Sequence, residues 1–320
     1  MMPGEKVVSA LPTLQVAPGY TEIEAAILRT VAYADVFDYP LTASEIVRYL
    51  IGLKASPEVV NAALANCPAS LNWLTTTDGY FTLEGRQALV ELRRWRAAVA
   101  QQRWLAASRY GRWIASLPFV RMVAVTGALA VNNEEGPDLD YLVVTTPGRL
   151  WLCRGMVMLL VHWARRYGDE ICPNFFLAEN ALALTDQNLY TAHELAQMVP
   201  LFGYDMYCRM RTSNSWMSAY LPNAAGSSFE LAVDTVSNGF VQATRQSAEW
   251  LLRTPVGDWV ERWEMNRKIR KLRARETAAS ETDFCAVRCK GHFGGYGKKT
   301  RAAYDARLQS MGVYPSFWDV

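Results

Sequence analysis

Asp138 and Asp140 are separated by one residue and followed by the apolar run Tyr141-Leu142-Val143-Val144. Residues two apart on an extended strand point to the same face, so the two carboxylates would project together while Leu139, Tyr141 and Val143 turn into a core. Paired carboxylates on a rigid strand suit Mg²⁺, a hard cation often held by one or two carboxylates plus substrate phosphates. Upstream, Val120 to Val125 is a second β-prone run. It ends at Thr126-Gly127-Ala128, with Gly127 eleven residues before Asp138. Gly127 lets the backbone approach a ligand closely, and amides opening the next helix can donate to phosphate oxygens. The chemistry that fits is metal-assisted displacement at a phosphorus centre, in which bound ions neutralise charge on the attacking and leaving oxygens. A lone Asp-x-Asp also arises at solvated strand starts, so the weight rests on the combination.

A strand, a Gly-containing turn opening a short helix, and a returning strand that begins Asp-x-Asp resemble the catalytic strand-loop-strand of polymerase-beta-type nucleotidyltransferases. The resemblance covers about residues 118 to 210. The whole chain is similar to a group of bacterial and archaeal nucleotidyltransferase-like proteins with an N-terminal winged helix. That resemblance implies Mg²⁺-dependent transfer of a nucleoside monophosphate from an NTP to an acceptor that the sequence does not name. Asp138 and Asp140 would be the catalytic, metal-binding pair, and Gly127 and Ala128 would lie against the phosphates. The family's third metal-binding carboxylate would sit on a later strand. Glu179 is the acid available for it, although Glu179 also suits a helix or loop cap, and Asn174 is the other candidate for the position. Arg149 and Arg154 follow the Asp-x-Asp strand and could reach a triphosphate. Two features depart from the family: Ala128 stands where serine is usual, and an asparagine at position 174 could not act as a base. Two alternatives therefore stay open. One is a catalytically silent nucleotide-binding or protein-interaction protein with a degenerate nucleotidyltransferase fold, and the other is a winged-helix regulator.

The elements that must hold this segment can be read on both sides of it. Residues 1 to 20 carry three prolines and no sustained period, which predicts a flexible arm. Thr21 with Glu24, and Thr42 with Glu45, are capping boxes opening two helices, and Ser56-Pro57 is an N-cap with a first-turn proline for a third. Leu71 to Thr76 and Tyr80 to Leu83 are β-prone runs joined by Asp78-Gly79, a dipeptide suited to a tight hairpin. Three helices and a hairpin over residues 21 to 85 follow the order of a winged helix-turn-helix. Its third helix carries Glu58 and no basic residue, so duplex DNA is not an expected partner. Residues 86 to 117 read as an Arg-rich linker helix, whose arginines would ordinarily face solvent. The nucleotidyltransferase domain would extend over 118 to 227 on a small mixed sheet, and 228 to 320 would form a helical C-terminal region. The whole is an α+β protein.

Charge and cysteine usage narrow the partners. A formal net charge of +2 gives no chain-wide basic field. The stretch from Glu261 to Arg307 nevertheless holds thirteen Lys or Arg against six Asp or Glu. That surface suits an acidic partner, nucleic-acid acceptor or membrane surface, or folds back as a cap. Six scattered cysteines without a secretory signal imply a reduced, cytoplasmic protein. The most apolar window, Leu150 to Ala164, is too short to span a bilayer and reads as a buried helix. Cys285, Cys289 and His292 could supply three soft metal ligands, but their spacing lacks the paired pattern of zinc sites.

Overall fold

The computed structural model describes residues 20–70, 73–134, 136, 138–225 and 239–313. The expected arm lies, apart from Tyr20, outside them, as do the first residues of the expected strand at 71–76 and the opening of the expected C-terminal region. Within the described residues the protein is a mixed α+β structure with a small antiparallel sheet and a larger mixed one.

The N-terminal unit contains α1 (Glu22–Asp35), β1 (Leu41–Thr42), α2 (Ala43–Arg48), α3 (Pro57–Ser70), β2 (Leu74–Thr77) and β3 (Tyr80–Leu83). Both capping boxes form: Thr21 and Glu24 open α1, Thr42 and Glu45 open α2, each with reciprocal side-chain to backbone bonds. The three strands pair antiparallel in the order β1-β3-β2. Asp78 and Gly79 both take positive φ, +50° and +80°, as a two-residue turn matched to strand twist requires. Every residue from Ala25 to Asp35 is buried, because α1 is sandwiched between its own unit and the rest of the chain. Arg307 donates to Asp35 at 2.7 Å, Tyr33 packs on Tyr304, and the Asn223 amide donates to the carbonyls of Val47 and Ala55.

The 27-residue helix α4 (Leu89–Ala115) runs on to β4 (Val120–Val125), the single turn α5 (Gly127–Ala130) and β5 (Asp138–Thr145). Next come α6 (Leu150–Ala164), β6 (Glu170–Ala178), α7 (Leu189–Gln197), β7 (Val199–Phe202), α8 (Tyr204–Ser213) and α9 (Met217–Tyr220). The C-terminal part comprises α10 (Gly239–Leu252), α11 (Pro255–Arg273), β8 (Glu281–Phe284), β9 (Arg288–His292) and α12 (Tyr296–Ser310). The larger sheet has the order β7-β4-β5-β6-β9-β8, with β5 and β6 parallel and the other pairs antiparallel.

Strand alternation divides the core into two layers. Val123, Val125, Leu139, Tyr141 and Val143 pack on α4 and α6, and Met122, Ala124, Leu142 and Val144 pack on the other side against α1, α7 and α8. The C-terminal region is helical as expected in α10, α11 and α12, but the expectation is corrected between α11 and α12 by a β-hairpin. β8 and β9 extend the sheet beyond β6, because Lys290, Cys289 and Arg288 pair with Phe175, Phe176 and Leu177. The C-terminal helices are fastened to the sheet by buried glutamates. Glu261 accepts from the Trp151 and Leu152 amides at the start of α6, at 3.0 and 2.7 Å, and Glu249 accepts from the Phe119 amide at 2.8 Å. A carboxylate at a helix N-terminus satisfies amides that have no intrahelical partner. No helix among the described residues is long and apolar enough to cross a membrane.

Candidate functional site

β4 and β5 are antiparallel neighbours, with Val125 opposite Tyr141 and the Thr126 amide donating to the Asp140 carbonyl at 3.1 Å. The turn at Gly127 is thereby held against Asp140. Gly127 has φ +69°, and a Cβ at this position would overlap Asp140 Oδ2 and lie 3.2 Å from its Cγ. Only glycine meets both conditions. On β5, Tyr141 faces the rear layer and donates from its hydroxyl to the Ala107 carbonyl at 2.7 Å. Asp138 and Asp140 face the opposite side and line one cleft with Ala128, Glu134, Asn133 and Phe37, of about 520 Å³. Asp138, Asp140, Gly127 and Ala128 are thus brought together.

Arginines on α4 position the loop that leads into this cleft. Arg93 donates to the Asn132 carbonyl at 2.8 Å, Arg96 to the Asn133 side chain at 3.2 Å, and Arg103 to the Gly136 carbonyl at 3.2 Å. Offsets of three and ten residues put all three on one side of an α-helix. Arg93 also bonds Tyr39 and Glu45, at 2.7 and 3.0 Å, and so links the N-terminal unit to the same loop. Arg93 and Arg96 are buried, which corrects the expectation that they form a solvated helix face.

The remaining expected site residues are placed differently. β6 runs parallel to β5 with Glu170 beside Asp138, Cys172 beside Asp140 and Ala178 beside Thr145. Glu179 follows at the far end, its amide donating to the Thr145 carbonyl at 2.9 Å. Seven residues of strand separate that end from Asp138, on the order of 20 Å, so Glu179 does not join the pair. Asn174 does reach it: the register slips between Asp140 and Leu142, and the Asn174 amide donates to Asp140 Oδ1 at 2.9 Å. Arg154 lies behind the sheet, over the Trp151 ring at 5.9 Å and within reach of Cys289. Arg149 pairs with Asp258 at 2.6 Å. Neither faces the cleft, because α6 covers the rear layer. Cys289 is buried in that layer while Lys290 and His292 line a cavity at the front, so His292 does not join Cys285 and Cys289 in a three-ligand site.

Three further acids surround the pair: Glu170 on β6, Glu134 in the loop before β5, and Glu194 on α7. Glu134 is buried, and burial raises its pKa. A hydrogen bond shared with Asp138 raises that of the exposed Glu170. Burial, then the charges of Glu194, Asp138 and Glu134, push Asp140 up to about 7, against a smaller opposing hydrogen bond from Cys172. Burial also pushes Glu194 up to about 7, with Lys290 opposing. Sequence reading missed these acids for separate reasons. Glu170 depends on a parallel register, and Glu194 sits at an amphipathic position of α7 that ordinarily contacts solvent. The Asn-Asn-Glu-Glu-Gly run before the pair was the available hint of Glu134.

Among the described residues, no group of three or more His, Cys, Asp or Glu is arranged to hold a metal ion. Asp138 and Asp140 are a two-carboxylate set of hard oxygen donors beside a turn whose glycine lets Asp140 Oδ2 sit where a side chain would otherwise stand. Such a set fits Mg²⁺ when substrate phosphates complete the coordination. No family model, curated protein or solved structure matches the chain.

Proposed function

We propose that the protein is a Mg²⁺-dependent nucleotidyltransferase that transfers a nucleoside monophosphate from an NTP to an acceptor hydroxyl. One observation carries this reading: Asp138 and Asp140 share a cleft with a glycine turn that abuts Asp140. Asp138 and Asp140 would hold Mg²⁺, which supplies charge neutralisation at the phosphates when bound. The Gly127 and Ala128 amides open a single helical turn and have no intrahelical carbonyl to donate to, so they would orient phosphate oxygens. The acceptor hydroxyl would release its proton to solvent and its oxygen would form a bond to the α-phosphorus as the bond to pyrophosphate breaks. The N-terminal unit, three helices with strands ordered β1-β3-β2, supports the winged-helix resemblance. Its α1 is consumed by packing against the rest of the chain, which favours a structural role over DNA reading.

A second reading, a silent nucleotide-binding protein, is favoured by Asn174. It bonds Asp140 at the position where the resemblance implies a third carboxylate, and no side-chain hydroxyl is present at Ala128. The deciding experiment is calorimetric titration of the four NTPs with Mg²⁺, followed by an assay for pyrophosphate release with pooled acceptors. Mg²⁺-dependent binding with pyrophosphate release supports the enzyme, and binding without release supports the silent protein. Binding of none of the four overturns both.

A further inference from the structure

Beyond Ala128 and Phe37 the cleft adjoins a second cavity, of about 180 Å³. Its walls come from both halves of the chain. Tyr33, Phe37, Tyr39 and Tyr49 are contributed by the N-terminal unit, and Tyr190 and Glu194 by α7. Among the described residues, no lysine or arginine lines it. His193, stacked on Tyr33 with ring centroids 3.9 Å apart, is pushed down to about 4 by burial and so adds no positive charge near neutrality. Lys290 lines a smaller neighbouring cavity that Glu194 also borders, and it pairs with Asp186 at 2.6 Å. Arg93, over the Tyr39 ring at 4.0 Å, is engaged with Glu45. Among the described residues, Glu194, ionised above about pH 7, is therefore the charge that the chamber itself presents.

We propose that this chamber binds a protonated amine on a small apolar frame, the group by which the acceptor is held beside the cleft. The word acceptor rests on the nucleotidyltransferase reading; the chemistry of the chamber does not. Gly127 and Ala128, whose amides would face the nucleotide phosphates, border the chamber; apart from them a phosphate or carboxylate would find no cationic side chain here and would meet Glu194. A neutral apolar group would fill the space but leave the carboxyl without a partner. An ammonium satisfies both features, because aromatic rings attract a cation through their quadrupole and a carboxylate accepts its N–H groups. The amine is a handle for binding and takes no part in bond formation at phosphorus. Phe37, Ala128 and Asn133 line both the chamber and the cleft, so a ligand held there sits next to the nucleotide.

The test uses three molecules of one shape and different charge: 2-phenylethylamine, 2-phenylethanol and phenylacetate. Each is titrated into the full chain without nucleotide or metal. At about pH 8 the amine is expected to bind about ten-fold more tightly than the alcohol, a difference of about 1.4 kcal/mol, with phenylacetate weakest. Glu194→Gln, which keeps the shape of the side chain, should bring amine and alcohol within about two-fold of each other. Tyr190→Leu should weaken the amine more than the alcohol, and thermal unfolding of both variants establishes that they are folded. Equal binding of all three probes, an amine preference that survives Glu194→Gln, or displacement of the amine by a free nucleoside would overturn the proposal. Asp140→Asn separates this inference from the one beneath it. If it keeps Mg²⁺-dependent NTP binding while the amine preference stands, the nucleotidyltransferase reading fails and the chamber's chemistry survives. If it loses NTP binding while the amine preference is absent, only the chamber inference fails.

Discussion

Asp140 Oδ2 occupies the position that a side chain on Gly127 would need, and the Asp140 carbonyl accepts the Thr126 amide at 3.1 Å. The turn and the carboxylate are therefore fitted to each other through both backbone and side chain. Gly127→Ala forces a non-glycine residue to φ +69° and displaces Asp140. A loss of about 1–3 kcal/mol in stability is expected from the strained backbone. Mg²⁺-dependent NTP affinity should fall with it. Urea unfolding together with NTP titration checks this, and a variant with unaltered nucleotide affinity would show that the turn does not set the site.

The arginine clamp gives a second expectation. Arg93→Met removes donors from Glu45, Tyr39 and the Asn132 carbonyl; the Tyr39 hydroxyl still donates to Glu45, and losing the charge-assisted bonds costs about 1–3 kcal/mol. Because Asn132 lies in the loop leading to Asp138, amide hydrogen exchange in residues 131–140 should rise more than in α6. Uniform change across the chain would mean that Arg93 contributes only to general stability.

What the sequence revealed follows from the range of the interactions involved. The capping boxes at Thr21 and Thr42 and the turn at Asp78-Gly79 are written within four residues, and each forms as read. The shared face of Asp138 and Asp140 follows from strand period alone. The strands Glu281–Phe284 and Arg288–His292 escaped notice because charged residues and glycine dominate them, and they are strands because β6 offers an edge to pair with. The neighbours of Asp140 were hidden for a similar reason. Which residue of β6 lies beside it depends on parallel register and a local slip, and Glu194 arrives from a helix more than fifty residues away.

His193 provides a pH-dependent expectation. It is buried against Tyr33, its Nδ1–H donating to the Leu189 carbonyl at 2.9 Å, and burial lowers its pKa to about 4. The unfolded chain, with an imidazole near about 6.5, takes up the proton first, so this group's contribution to stability is lost as pH falls from about 6.5 to about 4. Asp140 and Glu194 have the opposite slope in the same window, since a raised carboxylate pKa favours the folded state at lower pH. The comparison that isolates His193 is therefore wild type against His193→Phe. The difference in unfolding free energy should change by about 2–3 kcal/mol between pH 7 and pH 4. A constant difference across that range would show that the imidazole is not buried neutral.

Duplex DNA should not bind the full chain tightly. Exposed positions at the start of α3 carry Glu58, Val59 and Asn61, and none of its residues supplies the cations from which non-specific affinity arises. Fluorescence anisotropy with a labelled duplex at physiological salt is expected to show no submicromolar binding. Tight binding with a steep salt dependence would assign the N-terminal unit a reading role.

Asp138 and Asp140 are expected to act as a pair on nucleotide and to oppose each other without it. Replacing either with Asn should abolish Mg²⁺-dependent NTP binding or turnover while leaving the fold intact, because an amide is a weak ligand for a hard cation. The effect on stability has a definite sign for Asp140. Burial and the neighbouring acids raise its pKa to about 7 in the folded protein, against about 3.9 in an unfolded chain. The folded state therefore holds the extra proton between those values, and stability falls as pH rises through the window. Above it the full cost of an ionised Asp140 is present. Asp140→Asn removes that cost while its carbonyl oxygen can still accept from Asn174. Its melting temperature in metal-free buffer at about pH 8 should exceed that of wild type, corresponding to about 1–2 kcal/mol. At about pH 4 the two should converge. Adding Mg²⁺ and NTP should then raise the melting temperature of wild type alone, since a ligand that binds only the native state stabilises it. An equal ligand-induced rise in wild type, Asp138→Asn and Asp140→Asn would place the nucleotide away from the pair.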